Sequence, residues 1–109
     1  MDLNAYQLKS KKSAAYSSFG AGYVYPALGL ASEAWEVAGK IKKAIRDNNG
    51  LVDKARKEDI KEELGDVMWY VAQLATELGL TLDEIARANI EKLYSRLERG
   101  KIQGDGDNR

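Results

Sequence analysis

Apolar positions recur at helical spacing after the chain's single proline, Pro26. Counted at 100° per residue from Leu30, a set of apolar side chains falls within ~60° of one direction. The set is Leu30, Ala34, Val37, Ile41, Ala44 and Ile45. The pattern predicts one long helix over roughly residues 26 to 47, and Pro26 suits its first turn because a missing N–H has no partner there.

A second stretch carries the strongest periodic signal in the chain. Its apolar residues recur every three or four positions along one face, and they are Ile60, Leu64, Val67, Met68, Val71, Leu74, Ala75 and Leu78. This spacing predicts a helix from about residue 56 to 78. The residues between the two helices include Asn48, Asn49 and Gly50, which are typical of turns. The two helices are therefore predicted to form an antiparallel hairpin.

Two further segments are predicted to be helical. Thr81 and Glu84 form a capping-box pattern, and the apolar positions after them predict a helix that ends near Gly100. A weaker pattern predicts an N-terminal helix around residues 2 to 16, followed by a loop rich in Gly, Ser and Tyr over residues 17 to 25. No segment alternates as a strand does. The predicted fold class is all-α, with a four-helix core.

Composition indicates how many domains the chain forms and excludes several classes of function. With 109 residues, 44% of them hydrophobic, the chain suits one domain, predicted at 1–100, with a polar tail at 101–109 that we expect to be mobile without a ligand or partner. The 17 basic and 17 acidic residues cancel, so no broad field favours nucleic acid or anionic lipid. The absence of His and Cys excludes thiolate or imidazole zinc sites and Ser-His or Cys-His catalysis. Without a long apolar run or a signal peptide, we expect a cytoplasmic protein.

Four acidic residues occur at matching positions on the two hairpin helices. Each helix carries a pair spaced by three, and both pairs lie at about 300° and 240° from the apolar stripe. The pairs are Glu33 with Glu36, and Glu63 with Asp66. Each pair alone is typical of solvated surface acids, but the matched angle and height place all four on one side of the hairpin. Crowded carboxylates repel unless cations neutralise them, so the pattern favours Mg²⁺ or Mn²⁺.

Other polar residues are placed to bind a phosphate-containing ligand beside the predicted metal site. Asn89, Lys92 and Arg96 share one side of the last helix and suit a polyphosphate, although cations at this spacing are often ordinary surface charges. Tyr70 lies on the flank of the second acidic pair, where it is either a stacking surface for a base or sugar or an ordinary residue at the core edge. Lys40 is placed either to reach a phosphate or to pair with an acid.

Two residues of the second long helix bear on assembly. Gly65 costs the helix about 1 kcal/mol relative to Ala, so close packing or the metal site is expected to require it. Trp69 falls about 180° from the apolar stripe, where a single bundle leaves it in water and a subunit interface would cover it. We therefore expect a homo-oligomer, either a dimer or a tetramer.

Two segments of the sequence resemble a known protein family. Residues 28–37 (LGLASEAWEV) and 62–70 (EELGDVMWY) are similar to those of the MazG-type, all-α nucleoside triphosphate pyrophosphohydrolases, and the similarity extends into residues 89–93 and Arg96. The resemblance implies hydrolysis of a nucleoside triphosphate to the monophosphate and pyrophosphate. It also implies a four-helix core and Mg²⁺, with Mn²⁺ as a substitute, held by Glu33, Glu36, Glu63 and Asp66.

The resemblance further implies roles for individual residues. Lys92, Arg96, Asn89 and Tyr70 match positions that contact the substrate. As a hypothesis, Glu36 or Glu63 orients or deprotonates the attacking water, and the tail closes over the nucleotide. A composite site with a neighbouring subunit is expected because the chain is short compared with the two-repeat members of this superfamily. The alternatives are a phosphoribosyl-ATP or dUTP-type pyrophosphohydrolase and a non-enzymatic helical interaction module.

Overall fold

The computed structural model describes residues 1–109 and contains four helices and no strand. The helices are α1 (Leu3–Lys11), α2 (Val24–Asn48), α3 (Lys54–Glu77) and α4 (Leu82–Glu98). The predicted all-α class with four helices is confirmed. Helix α1 is shorter than predicted, since beyond Lys11 the backbone bonds span only three residues, from Ser13 N to Ser10 O and from Ala14 N to Lys11 O.

Local capping sets the ends of the three long helices. Asn49 ends α2 in the left-handed region with φ 53°, which Asn tolerates better than most residues. Asp53 begins α3 by accepting a hydrogen bond from Arg56 N at 2.9 Å. At α4 the predicted capping box is present, since Thr81 Oγ1 accepts from Glu84 N and Glu84 Oε1 accepts from Thr81 N. These caps explain why α2 ends, and α3 and α4 begin, close to the predicted positions.

The contact seam between α2 and α3 is not centred on the predicted apolar stripes. The less exposed positions of each helix recur at helical spacing, at 26, 30, 33, 37, 40 and 44 on α2 and at 56, 60, 63, 67, 70 and 74 on α3. At 100° per residue, this seam is rotated by about 50° from the stripes. Glu33 and Glu63 therefore lie on the seam, whereas Leu64 and Met68 are 49% and 47% exposed. The predicted angles of about 300° and 240° place the acids beside the core-facing stripe, and the structure corrects this for Glu33 and Glu63.

Helix α1 packs against α3 and α4 and fastens the turn between them. A small apolar core of Ala72, Ala75 and Leu82 lies under it. Gln7 supplies the polar link, because its Nε2 donates to Thr76 Oγ1 at 3.0 Å and Leu80 O at 2.9 Å, and its Oε1 accepts from Leu82 N at 2.8 Å. Each of these bonds spans at least 69 residues of sequence.

The single chain is open rather than close-packed. Its radius of gyration is 16.7 Å, whereas a compact domain of about 100 residues has a radius near 13 Å. Only 9 of the 109 residues are buried. Helix α4 packs on α1 rather than along the hairpin, so Ile85, Ile90, Leu93 and Leu97 stay exposed. No helix is both long enough and apolar enough to cross a bilayer.

Trp69 is covered within the chain, which corrects the expectation that only a second subunit would cover it. The segment after α1 crosses α3 at this point, and Trp69 Nε1 donates to Ser13 Oγ at 2.9 Å. The indole packs edge-on against the rings of Tyr16 and Tyr70, with centroids 6.2 and 5.1 Å away. Gly65 has no atom within 4 Å of where a Cβ would lie, so nothing in one chain requires glycine there.

Candidate metal centre and substrate site

Three carboxylates converge on the α2–α3 seam. One oxygen from each of Glu33, Glu63 and Asp66 lies within 4.8 Å of the other two. Oxygens around one Mg²⁺, each about 2.1 Å from it in an octahedron, are about 3 to 4 Å apart. Small side-chain adjustments would therefore bring this set to a magnesium coordination sphere, and an all-oxygen donor set is the kind that Mg²⁺ and Mn²⁺ prefer.

The cluster is electrostatically unfavourable without a cation. Burial raises the pKa of Glu33, and the negative charges of Asp66 and Glu63 raise that pKa further, with a smaller effect from Glu36. A raised carboxyl pKa means that the fold disfavours the charged form. A divalent cation would relieve both the desolvation and the repulsion, so the residues present fit a bound metal ion.

Glu36 and Lys40 occupy different positions relative to this trio. Glu36 is exposed and is not part of the converging set, because it lies further from the seam than Glu33 on the same helix. Lys40 lies on the seam, and its Nζ is 3.8 Å from Glu63 Oε1, which is the ion-pair alternative considered from sequence. Of the four predicted metal ligands, the structure thus brings three together and leaves Glu36 about one helical turn away.

Aromatic residues form a wall beside the carboxylates. Tyr70 packs on Gly29 of α2, where the Cβ of any other residue would overlap the ring. Its ring lies 6.4 Å from Tyr25, which in turn stacks on Tyr16 at 5.7 Å with planes 4° apart. Burial raises the pKa of Tyr70, with further contributions from Tyr25 and the acids. Sequence reasoning did not single out Tyr16 and Tyr25; the only signal was the tyrosine content of the predicted 17–25 loop, which includes Tyr25 but not Tyr16.

A hydrogen bond anchors this loop to the end of α3. Tyr16 Oη donates to a carboxylate oxygen of Glu77. Burial, followed by this bond and the Glu77 charge, raises the pKa of Tyr16 to about 12. Gly22 lies against the same carboxylate, so a side chain there would collide with Glu77. The loop is therefore held across α3 next to the aromatic wall.

The predicted phosphate-binding residues of α4 contact the tail rather than the acidic trio. Lys92 Nζ lies 3.2 Å from Asp107 Oδ1, and Arg96 Nη2 lies 3.5 Å from the same oxygen. Residues 101–109 therefore fold back on these cations. Asn89 is exposed and lies at an open apolar groove with Met68 and Ile85.

Fold and site together define an all-α protein with a cluster of three carboxylates between two antiparallel helices. Residues 26–100 match the MazG nucleotide pyrophosphohydrolase domain. The chain belongs to this family. It is 44% identical over 114 residues to the Gene 37 protein of Mycobacterium phage L5, with both chains covered completely.

A second relative matches part of the chain. It is the uncharacterized protein YvdC of Bacillus subtilis (strain 168), which is 32% identical over 72 residues, covering 58% of this chain and 68% of that protein. No solved structure matches the chain at a significant level. The similarity to MazG domains covers both acidic pairs and extends through α4, so it includes every predicted metal ligand.

Proposed function

We propose that this protein is a magnesium-dependent pyrophosphohydrolase that cleaves nucleoside triphosphates to monophosphates and pyrophosphate. The observation that carries the proposal is the convergence of Glu33, Glu63 and Asp66 within 4.8 Å on the seam of a MazG-family helix hairpin. Membership of the family supports nucleotide pyrophosphate chemistry. The acidic trio supports an oxygen-bound divalent cation, with Mn²⁺ as a substitute for Mg²⁺.

The proposed roles of the acids follow from their positions. Glu33, Glu63 and Asp66 hold the metal, which when bound supplies Lewis-acid polarisation of phosphate and water oxygens. Glu36 also belongs to the proposed ligand set, but it is exposed and apart from the trio, which leaves its carboxylate available to orient or deprotonate water. Glu63 is the other candidate base, but it is paired with Lys40. Because Glu36 has no such partner, Glu36 is the favoured base.

The remaining candidate residues are proposed to hold the nucleotide. Tyr70 presents a ring beside the acids and suits the base or sugar. Lys92 and Arg96 are proposed to bind phosphate oxygens, and Asn89 to contact the substrate from the same helix. In one chain these α4 residues have no contact with the acidic trio, so the complete site needs a neighbouring chain or a change in the position of α4.

We propose a homo-oligomer, a dimer or a tetramer, as the form that completes the site. Its supporting observation is the uncovered apolar face of α3 and α4, which includes Met68, Ile85 and Leu93. Monomeric proteins rarely expose contiguous apolar surface of this kind. A second copy covering this face would bury it and place a second α4 near the hairpin. Sedimentation that shows only monomer at micromolar concentration would contradict this part of the proposal.

The activity is tested with a panel of canonical and modified nucleoside triphosphates, scored for monophosphate and pyrophosphate with and without Mg²⁺. We expect Mg²⁺-dependent release of both products, and loss of turnover in Glu63→Gln and Asp66→Asn with helicity retained. Glu62→Gln is the matched control, because Glu62 is an exposed neighbour outside the trio. Including phosphoribosyl-ATP and dUTP identifies a more specialised enzyme. No release from any substrate would instead favour a non-enzymatic interaction module.

A further inference from the structure

The last nine residues form a closed strap on α4. Glycines with φ of 67°, 122° and 83° permit the reversal, at Gly100, Gly104 and Gly106. The Arg109 guanidinium closes the strap by donating to three backbone carbonyls, those of Lys101 at 3.1 Å, Ile102 at 2.8 Å and Gly106 at 2.6 Å. Arg99 adds a bond from its Nη2 to the Arg109 carbonyl oxygen at 2.9 Å. The strap therefore has a defined shape of its own.

Asp107 projects from this strap onto both cations of α4. Its Oδ1 lies 3.2 Å from Lys92 Nζ and 3.5 Å from Arg96 Nη2, and Arg96 Nη2 also donates to the Asp107 backbone carbonyl. Hydrogen bonding and charge from Lys92, and then from Arg96, hold the pKa of Asp107 below its usual range. Neither cation pairs with any other acid. Asp107 is thus the only anion that the chain supplies to this pair.

One hydrogen-bond donor of the Arg96 side chain has no partner in this arrangement. Arg96 is only 4% exposed, yet its buried Nε–H has no hydrogen-bond partner. A buried donor without a partner is costly. A phosphate group offers more acceptor oxygens than one carboxylate and matches the planar guanidinium fork. The Lys92–Arg96 pair is therefore better suited to a phosphate than to Asp107.

We propose that Asp107 occupies the phosphate position of the Lys92–Arg96 pair in the free protein, so that a polyphosphate chain binds by displacing the strap. This inference rests on the proposed function, in which the two cations bind substrate phosphates. The strap then excludes weakly charged anions, because a ligand gains access only when its charge and acceptor number exceed those of one carboxylate. Binding of a polyphosphate exchanges the Asp107 ion pairs for stronger bidentate bonds and supplies a partner for Arg96 Nε.

The test measures binding of inorganic tripolyphosphate to the full chain by titration calorimetry, in EDTA so that the acidic trio takes no part. We expect Asp107→Asn to bind about fivefold more tightly than the unmodified protein, since the competing charge is lost but the backbone bond remains. Asp105→Asn is the matched control: it makes the same charge change on the same strap, at a residue that forms no ion pair. We expect its affinity to stay unchanged. Adding Arg96→Gln to Asp107→Asn should abolish the tighter binding.

Hydrogen–deuterium exchange supplies a second measurement. Tripolyphosphate should increase amide exchange over residues 101–109, because the strap leaves α4. Decreased exchange there would show that the tail closes over the ligand and would overturn the displacement. Unchanged or weaker binding by Asp107→Asn, an equal gain in Asp105→Asn, or no binding by any variant would also overturn it. Metal-dependent nucleotide hydrolysis is assayed separately, so its failure is distinguishable from failure of the strap.

Discussion

Glu33 combines two opposing requirements in one side chain. Its place on the α2–α3 seam buries it next to Asp66 and Glu63, which raises its pKa and disfavours its charge in the absence of a cation. The same place puts its oxygen within reach of a shared metal ion. Stability of the empty site and affinity for the metal are therefore expected to change in opposite directions when this residue is altered.

Substituting Glu33→Gln tests this opposition. We expect the free energy of unfolding in EDTA to rise by about 0.5 kcal/mol, since one of three like charges is removed. We expect Mg²⁺ affinity to fall by about tenfold or more, since a charged ligand is lost. Urea denaturation and calorimetry measure the two quantities. Glu62→Gln, an exposed change outside the trio, is the control and should change both less. A loss of affinity in Glu36→Gln equal to that in Glu33→Gln would show that Glu36 belongs to the same primary ligand set.

Tyr16 gives a prediction for alkaline pH. Its pKa rises from an ordinary value of 10.0 to about 12 in the folded protein. Because the folded-state pKa is the higher one, the associated stability is fully present below pH 10 and is lost as the pH rises through about 12. Tyr16→Phe removes the bond to Glu77 and should cost about 1 kcal/mol at neutral pH. The stability gap to the unmodified protein should then close at alkaline pH.

Urea denaturation at several pH values between 8 and 12 measures this gap. Tyr94→Phe is a suitable control, because Tyr94 is 62% exposed and makes no side-chain hydrogen bond. A gap for Tyr16→Phe that stays constant over this range would contradict the assignment of the alkaline loss to Tyr16.

At the scale of elements, sequence periodicity identifies the helices but not how they face one another. Apolar runs such as Ile60 to Leu78, Pro26 in the first turn of α2 and the capping box at Thr81 suffice for α2, α3 and α4, because these signals are local. The seam is not predictable in this way, since Glu33 and Glu63 occupy it in place of apolar residues. The path of the 12–23 segment, which brings Tyr16 onto Tyr25 of α2, likewise depends on contacts far away in sequence.

Gln7 of α1 holds the turn that precedes α4, so the stability of this turn is predicted to depend on Gln7. Gln7→Ala leaves the buried Leu82 N–H without its acceptor and frees Leu80 O, so we expect a loss of about 2 kcal/mol in unfolding free energy. We also expect faster hydrogen exchange at the Leu82 amide. Lys9→Ala, an exposed change on the same helix, should have little effect. Equal effects of both substitutions would refute the role of Gln7.

At the scale of the whole molecule, the exposed apolar faces of α3 and α4 show that one chain alone does not bury all of its helix-forming apolar surface. The convergence of Glu33, Glu63 and Asp66, but not the separate position of Glu36, was predictable from the spacing of the acids on one hairpin. The relation of Lys92 and Arg96 to them was not, because it depends on the trajectory of α4 and, in our proposal, on a second copy. Association is therefore the property that most needs measurement.

Gly65 provides a test of association. In one chain a methyl group at Gly65 meets no atom within 4 Å, so Gly65→Ala should stabilise the helix by about 1 kcal/mol at high dilution. If a second copy packs on the face formed with Leu64 and Met68, the same methyl should weaken association in sedimentation equilibrium. Gly39→Ala, which also meets no atom within 4 Å and lies on another helix, should stabilise without changing association. Equal association constants for both variants would place the interface elsewhere.

The link between Gln7 and the α3–α4 turn has a consequence for biosynthesis. Helix α1 leaves the ribosome before the other three helices, yet its partners Thr76, Leu80 and Leu82 follow about seventy residues later. Contacts so distant in sequence slow folding. The hairpin needs only its own neighbours and can form while translation continues. We therefore expect α2 and α3 to pack together before α1 docks, although α1 is synthesised before them. Helix α1 should dock only after residue 82 has emerged.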